Sequence, residues 1–168
     1  SGIQNSNFPI KQSEQQKVQE TYYKLIHKES LIKRLVPKNL IGPSSISLEL
    51  HHLQKDNNVN ILNNYCVTDK ADGARKLLYI HPDKKIYLID MNMNIEFTGL
   101  MSTSEDFGNT IIDGEHIIHD KKKKYYNKYA AFDIYFINNK DVRDQPFIDD
   151  SKKNRLTLLN HIMKKMGI

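Results

Sequence analysis

This sequence predicts an α+β fold in which antiparallel strands are flanked by helices, and three observations predict it. Amphipathic helical spacing occurs near both ends of the 168-residue chain. Between those ends, short β-branched and aromatic runs are separated by tight turns, the pattern of a meander. No Gly-x-x-x-x-Gly-Lys loop links a strand to a helix, so a P-loop nucleotidase is not indicated.

The N-terminal residues 1–12 are polar and read as a frayed lead, with Ser1-Gly2 resembling a tag-derived scar. Helix is expected from 13 to 36. Ser13 and Gln16 offer a capping box, Val18, Tyr22, Leu25 and Ile26 recur at helical spacing, and Pro37 stops it. The adjacent His51 and His52 are not read as a metal site, because ligand sets need convergent spacing. A strand is expected at Tyr65–Thr68, running into a polar turn. Strands then follow at 76–80, 85–90 and 95–97, joined by turns at His81–Lys84 and Asn92–Asn94. A polar loop from Ser102 to Asn109 leads to two segments hinged on Asp113-Gly114, and residues 129–136 form a buried strand. Lys121–Lys124 lies between strands; a solvated turn is the ordinary reading, and phosphate contact with RNA is the alternative. The last helix is expected at 151–167, with Leu156, Leu159, Ile162, Met163 and Met166 on one face and Gly167 closing it.

Composition narrows the function classes. The chain is 39% hydrophobic and 27% charged, with a net charge of +5 and a pI near 9.1, a mild bias towards anionic partners. It has no apolar run of the roughly 18 residues needed to span a membrane. Cys66 is the single cysteine, so no internal disulfide forms and a reducing compartment, the cytoplasm, is expected.

Three stretches carry the chemistry. Lys70-Ala71-Asp72-Gly73-Ala74-Arg75 sets a lysine before an Asp-Gly turn and an arginine after it. Asp-Gly alone suits any hairpin, but the full Lys-x-Asp-Gly-x-Arg pattern arises by chance in only about one such chain in a thousand. Asp113-Gly114-Glu115 follows, and then Phe132-Asp133 within an apolar run. In this order and spacing they resemble the covalent nucleotidyltransferase superfamily of ATP-dependent ligases and GTP-dependent capping enzymes. With Leu40–Glu49 upstream, the closer resemblance is to the mRNA-capping guanylyltransferases of large DNA viruses. It covers residues 40–155.

The resemblance implies that Lys70 is the nucleophile and forms a covalent Lys–GMP from GTP. The GMP then passes to a 5′-diphosphate RNA. A lysine amine attacks only when unprotonated, so Lys70 is expected at a strand end facing a cleft, with Arg75 adding positive field. Thr68, Asp69, Asp72, Gly73, Arg75, Glu115 and Phe132 would surround the nucleotide: Arg75 and Glu115 at the ribose hydroxyls, Phe132 on the base, Asp72 beside the lysine. Asp113 and Asp133 would stand behind them. Mg²⁺ or Mn²⁺ would accompany the triphosphate, with Glu115 a possible ligand. The competing structural readings are a surface pairing of Arg75 with Asp72 or Asp113, an exposed hinge position for Glu115, and plain core for Phe132.

The resemblance further implies later lysine-bearing motifs and an OB-fold domain. Neither has a counterpart here, so the chain is expected to be a partial domain, incomplete at the C-terminal side and inactive alone. Triphosphatase and methyltransferase regions would belong to the same parent polypeptide. Two other functions stay open: the adenylation domain of a ligase, and a non-catalytic module that binds RNA or protein.

Overall fold

A computed structural model describes residues 10–30, 34–151 and 153–166. Helix α1 spans Gln12–His27 and α2 spans Arg155–Met166. Between them lie strands β1 (Ala74–Ile80), β2 (Lys85–Asp90), β3 (Ile95–Met101), β4 (Thr110–His119), β5 (Tyr125–Ile137) and β6 (Lys140–Asp141). They form one sheet in the order β3-β2-β1-β4-β5-β6, every pairing antiparallel.

The period-2 alternation of β1 assigns its side chains to two cores. Leu77 and Tyr79 face α1, where they meet Val18, Tyr22 and Leu25 together with Tyr87, Ile89 and Ile111. Leu78 and Ile80 face α2, packing with Leu88, Ile112, Ile134, Leu159 and Ile162. The expected α+β class and the 76–97 meander match this arrangement. The sheet continues on the other side of β1, through β4 and β5.

The helix boundaries differ from expectation. α1 stops at Lys28, which takes a left-handed conformation (φ 59°) and returns its N–H to the Lys24 carbonyl. No glycine marks that stop, and part of the expected continuation, residues 31–33, lies outside the described residues. Ser13 sits inside the helix, after Lys11, and no capping box forms. Pro37 opens a short 3-10 turn, Pro37–Asn39. α2 starts at Arg155 because the Asn154 side chain accepts the Thr157 N–H at 2.8 Å, the usual work of an N-cap. Of the expected lead, residues 1–9 lie outside the described residues, as do 167 and 168.

Two expected strands also change. Tyr65–Thr68 is not a strand. Apart from a 3-10 turn at Leu50–Leu53, residues 44–73 form neither helix nor strand, and Val67 is fully exposed; a strand without a partner is not stable. The Asp113-Gly114 hinge is likewise absent, since β4 runs unbroken from Thr110 to His119. Gly114 is needed there for room. A Cβ would sit 2.5 Å from the Ala130 carbonyl oxygen and 2.7 Å from the Tyr129 ring. The Tyr129 hydroxyl crosses this gap to donate to the Lys76 carbonyl at 2.7 Å.

Candidate active site

The site begins with α1. Tyr22 is fully buried, and its hydroxyl donates to the Asn39 carbonyl and accepts the Ile41 N–H, both at 3.0 Å. That fixes the chain entering Gly42. Gly42 has φ 121°, and a Cβ there would lie 2.9 Å from both Arg75 Nη2 and the Tyr135 hydroxyl, so glycine is the residue this approach admits. The next residue, Pro43, presents its carbonyl to Arg75 Nη1 at 2.7 Å.

Arg75 is thereby held from two sides. Its Nε and Nη2 donate to the two oxygens of Asp113 at 3.1 and 2.6 Å, a bidentate pair, and Tyr135 donates to Asp113 Oδ2 at 2.6 Å. Asp113 is fully buried and the Arg75 side chain is 15% exposed. The pairing with Asp113 therefore holds, but in the interior and not on the surface. The Asp113 carboxylate raises the Arg75 pKa. Burial, followed by the Asp113 charge, pushes the Tyr135 phenol far up, so it stays a donor. Three of the five guanidinium N–H groups are used by these partners, which leaves two uncommitted among the described residues.

Glu115 stands directly across from Arg75 in the β1–β4 register. It is half-buried, not an exposed hinge residue, and its Oε2 is buried without a hydrogen-bond partner. A buried, unpaired carboxylate oxygen is costly unless something donates to it. Phe132 lies at a break in the β4–β5 register, where Asp113 faces Asp133 and Gly114 faces Ala131, so Phe132 is the extra residue of a bulge. It is 38% exposed and so is not core. The partner that Asp133 needs is Arg155 at the start of α2, at 2.9 and 3.2 Å. β4 thus brings Asp113 and Glu115 beside Arg75, while β5 carries Phe132 on its bulge and Asp133 to Arg155.

Thr68, Asp69, Lys70 and Asp72 lie on the exposed lead into β1. Lys70 pairs only with Asp72 among the described residues, at 3.7 Å, and each side chain is 82% exposed. The expectation of a strand-end lysine facing a cleft is therefore not met. The strand starts at Ala74, after the motif's glycine, and the lead has no sheet to cover it. Gly73 is required where the lead meets β4, since a Cβ would sit 2.6 Å from the His116 carbonyl oxygen.

Sequence reasoning missed Tyr135 and the Gly42-Pro43 contact. The signal for Gly42 was its place in Leu40–Glu49; an aromatic in an apolar strand gave none for Tyr135. It also missed Lys76, which reaches Glu96 at 2.9 Å on the α2 side of the sheet. No group of three or more His, Cys, Asp or Glu able to hold a metal occurs among the described residues. A protein cage for Mg²⁺ or Mn²⁺ is thus not formed by them; Glu115 is one oxygen donor without a partner. No helix among the described residues is long and apolar enough to cross a membrane.

Comparison with known proteins decides the family. Residues 3–167 match the family described as mRNA capping enzyme, catalytic domain. The chain belongs to that family. It is also 29% identical over 165 residues to a protein of Acanthamoeba polyphaga mimivirus described as a probable mRNA-capping enzyme. That alignment covers 97% of this chain and 12% of the relative, so the chain spans about an eighth of that protein's length.

Proposed function

We propose that this capping-family domain is an RNA guanylyltransferase whose nucleophile is Lys70. The observation that carries the reading is the Arg75–Glu115 register: a guanidinium locked by Asp113 and Pro43 with two donors to spare, opposite a carboxylate oxygen with no partner. A pair of vicinal ribose hydroxyls offers both complements, since each hydroxyl donates and accepts. Phe132, raised on its bulge, supplies an aromatic face for the base.

In the first step the deprotonated Lys70 amine attacks the α-phosphorus of GTP. The P–N bond forms as the nitrogen gives up a proton to solvent, the bond to the β-phosphate bridging oxygen breaks, and pyrophosphate leaves. In the second, a terminal oxygen of the 5′-diphosphate RNA attacks the same phosphorus, the P–N bond breaks, and Lys70 regains its proton. A divalent cation would neutralise charge on the triphosphate. Lys70 is open to solvent in this structure, so the reading requires it to be covered when it reacts, because desolvation and nearby cations are what release its proton. Triphosphatase and methyltransferase activities in the same polypeptide, and an origin in a large DNA virus, go with this reading; the mimivirus relative supports the latter.

The exposure of Lys70 also favours a second reading, a non-catalytic module that keeps the fold. Incubation of the longer parent polypeptide with α-labelled GTP or ATP and Mg²⁺ separates the cases. Acid-labile, alkali-stable label from GTP on the longer parent polypeptide and not on its Lys70→Ala variant is expected. Label from ATP alone would transfer the protein to the ligases, and no label from either favours the module.

A further inference from the structure

The β4–β5 hairpin outruns the sheet that supports it. β1 pairs with β4 only as far as Ala74 opposite His116, whereas β4 and β5 go on pairing through Ile117–Lys128 and His119–Tyr125. Beyond His116 the two strands form a free ribbon. Its tip is built for charge. Between His119 and Lys128 the sequence carries five lysines, Lys121–Lys124 and Lys128, against the single acid Asp120. Asp120 is already occupied: its Oδ1 accepts the N–H groups of Lys122 and Lys124 at 2.8 and 2.9 Å and so closes the turn. The lysines are exposed and make no ion pair among the described residues.

Aromatic rings accompany them. Tyr125 and Tyr126 are 46% and 44% exposed. Lys128 Nζ lies 4.3 Å from the Tyr126 ring centroid, and Tyr125 meets the His119 ring edge-on at 6.0 Å. A solvated turn that only protects a sheet end needs the lysines and not the tyrosines. A surface for an acidic peptide would likewise gain little from two exposed tyrosine rings. Lysines that follow a phosphate backbone, interleaved with rings on which bases stack, are the combination that binds single strands without reading their sequence.

We propose that this ribbon is a binding arm for single-stranded RNA, contacting the strand downstream of its 5′ end. Glu115 and the arm lie on one strand; Asp120 is five residues beyond it, about 17 Å along the ribbon. An RNA whose end reaches Arg75 and Glu115 can therefore lay its next nucleotides along the lysines and the ring, Tyr125 or Tyr126, of the ribbon face it follows. The choice of RNA among polyanions rests on the guanylyltransferase reading; the arm itself does not.

The test is fluorescence anisotropy of the protein with a labelled oligouridine bearing hydroxyl ends, across a salt series. One variant carries Lys121→Gln, Lys122→Gln, Lys123→Asn and Lys124→Gln. Asparagine is chosen at 123 because Lys123 has φ 61°, which asparagine tolerates. A second carries Tyr125→Leu and Tyr126→Leu. Circular dichroism melts matched to the parent precede the binding reading. The lysine variant is expected to flatten the log–log salt slope by roughly 2–3, at about 0.7 for each phosphate no longer neutralised. The tyrosine variant is expected to weaken binding about tenfold at an unchanged slope. Parent-like binding by both variants, or no binding by the parent, overturns the arm. So does polyglutamate that competes as well as RNA while the tyrosine variant stays unaffected, which would make the surface an acidic-peptide patch. Arm-dependent RNA binding, with no label from GTP on the longer parent polypeptide, would retire the guanylyltransferase reading and keep the arm.

Discussion

Substituting Asp113→Asn tests whether the Arg75 cluster is a folded-state lock. Asp113 is fully buried, accepts two bonds from Arg75 and one from Tyr135, and faces an arginine that is itself largely enclosed. Asparagine keeps the shape but removes the charge and turns an N–H₂ group towards donors. Breaking one side of a buried, hydrogen-bonded pair costs about 3–5 kcal/mol, because the remaining charge stays buried. For a domain of this size that is a fall in Tm of roughly 6–20 °C. The companion variant Arg75→Met should cost a similar amount, for the mirror reason. The double variant Arg75→Met/Asp113→Asn removes both charges, so its cost should fall short of the sum of the singles by about 1–3 kcal/mol. Urea denaturation of the four proteins at neutral pH measures this cycle. Single variants that each lose under about 1 kcal/mol, or a double that equals the sum to within about 0.5 kcal/mol, would refute the lock.

Other outcomes follow from the same geometry. Gly114→Ala drives a methyl group into the Ala130 carbonyl and the Tyr129 ring, and should cost about 1–3 kcal/mol in urea unfolding. Phe132→Ala should change stability by less than about 1 kcal/mol, yet weaken nucleotide binding about tenfold in a calorimetric titration, because the ring is exposed on a bulge. Glu14 joins α1 to β2 through Lys85 at 2.7 Å and the Tyr87 hydroxyl at 2.8 Å, and these bonds hold its carboxyl below the ordinary 4.5. Its contribution is complete above that value and disappears as the pH falls through the lower folded value. Wild type should therefore lose more stability than Glu14→Gln between about pH 5 and 3, by under about 1 kcal/mol for so exposed a pair.

The sheet was legible because its turns are marked. His81–Lys84 and Asn92–Asn94 separate alternating runs, and the period-2 pattern of β1 sends Leu77 and Leu78 to opposite cores. The end of α1 was not legible, since the left-handed stop falls on Lys28, where no glycine or asparagine announces it. Tyr65–Thr68 has the composition of a strand, but composition does not supply a neighbour to pair with. Of the candidate site, the motif residues were singled out by their spacing. The Asp113 pairing was foreseen as an ordinary surface contact, yet its burial depends on α1 reaching through Tyr22 to Gly42, a coupling across more than fifty residues of chain when carried to Arg75. The bulge that exposes Phe132 is a mismatch between two strands, and neither strand's sequence contains it alone.

The most direct test of the account is to locate the adduct. The longer parent polypeptide is incubated with GTP and Mg²⁺, digested at alkaline pH to preserve a phosphoramidate, and its peptides are mapped by mass spectrometry. The account predicts one guanylate on the peptide containing Lys70, and none anywhere in Lys70→Arg. A guanylate on another lysine, or one that persists in Lys70→Arg, would contradict it.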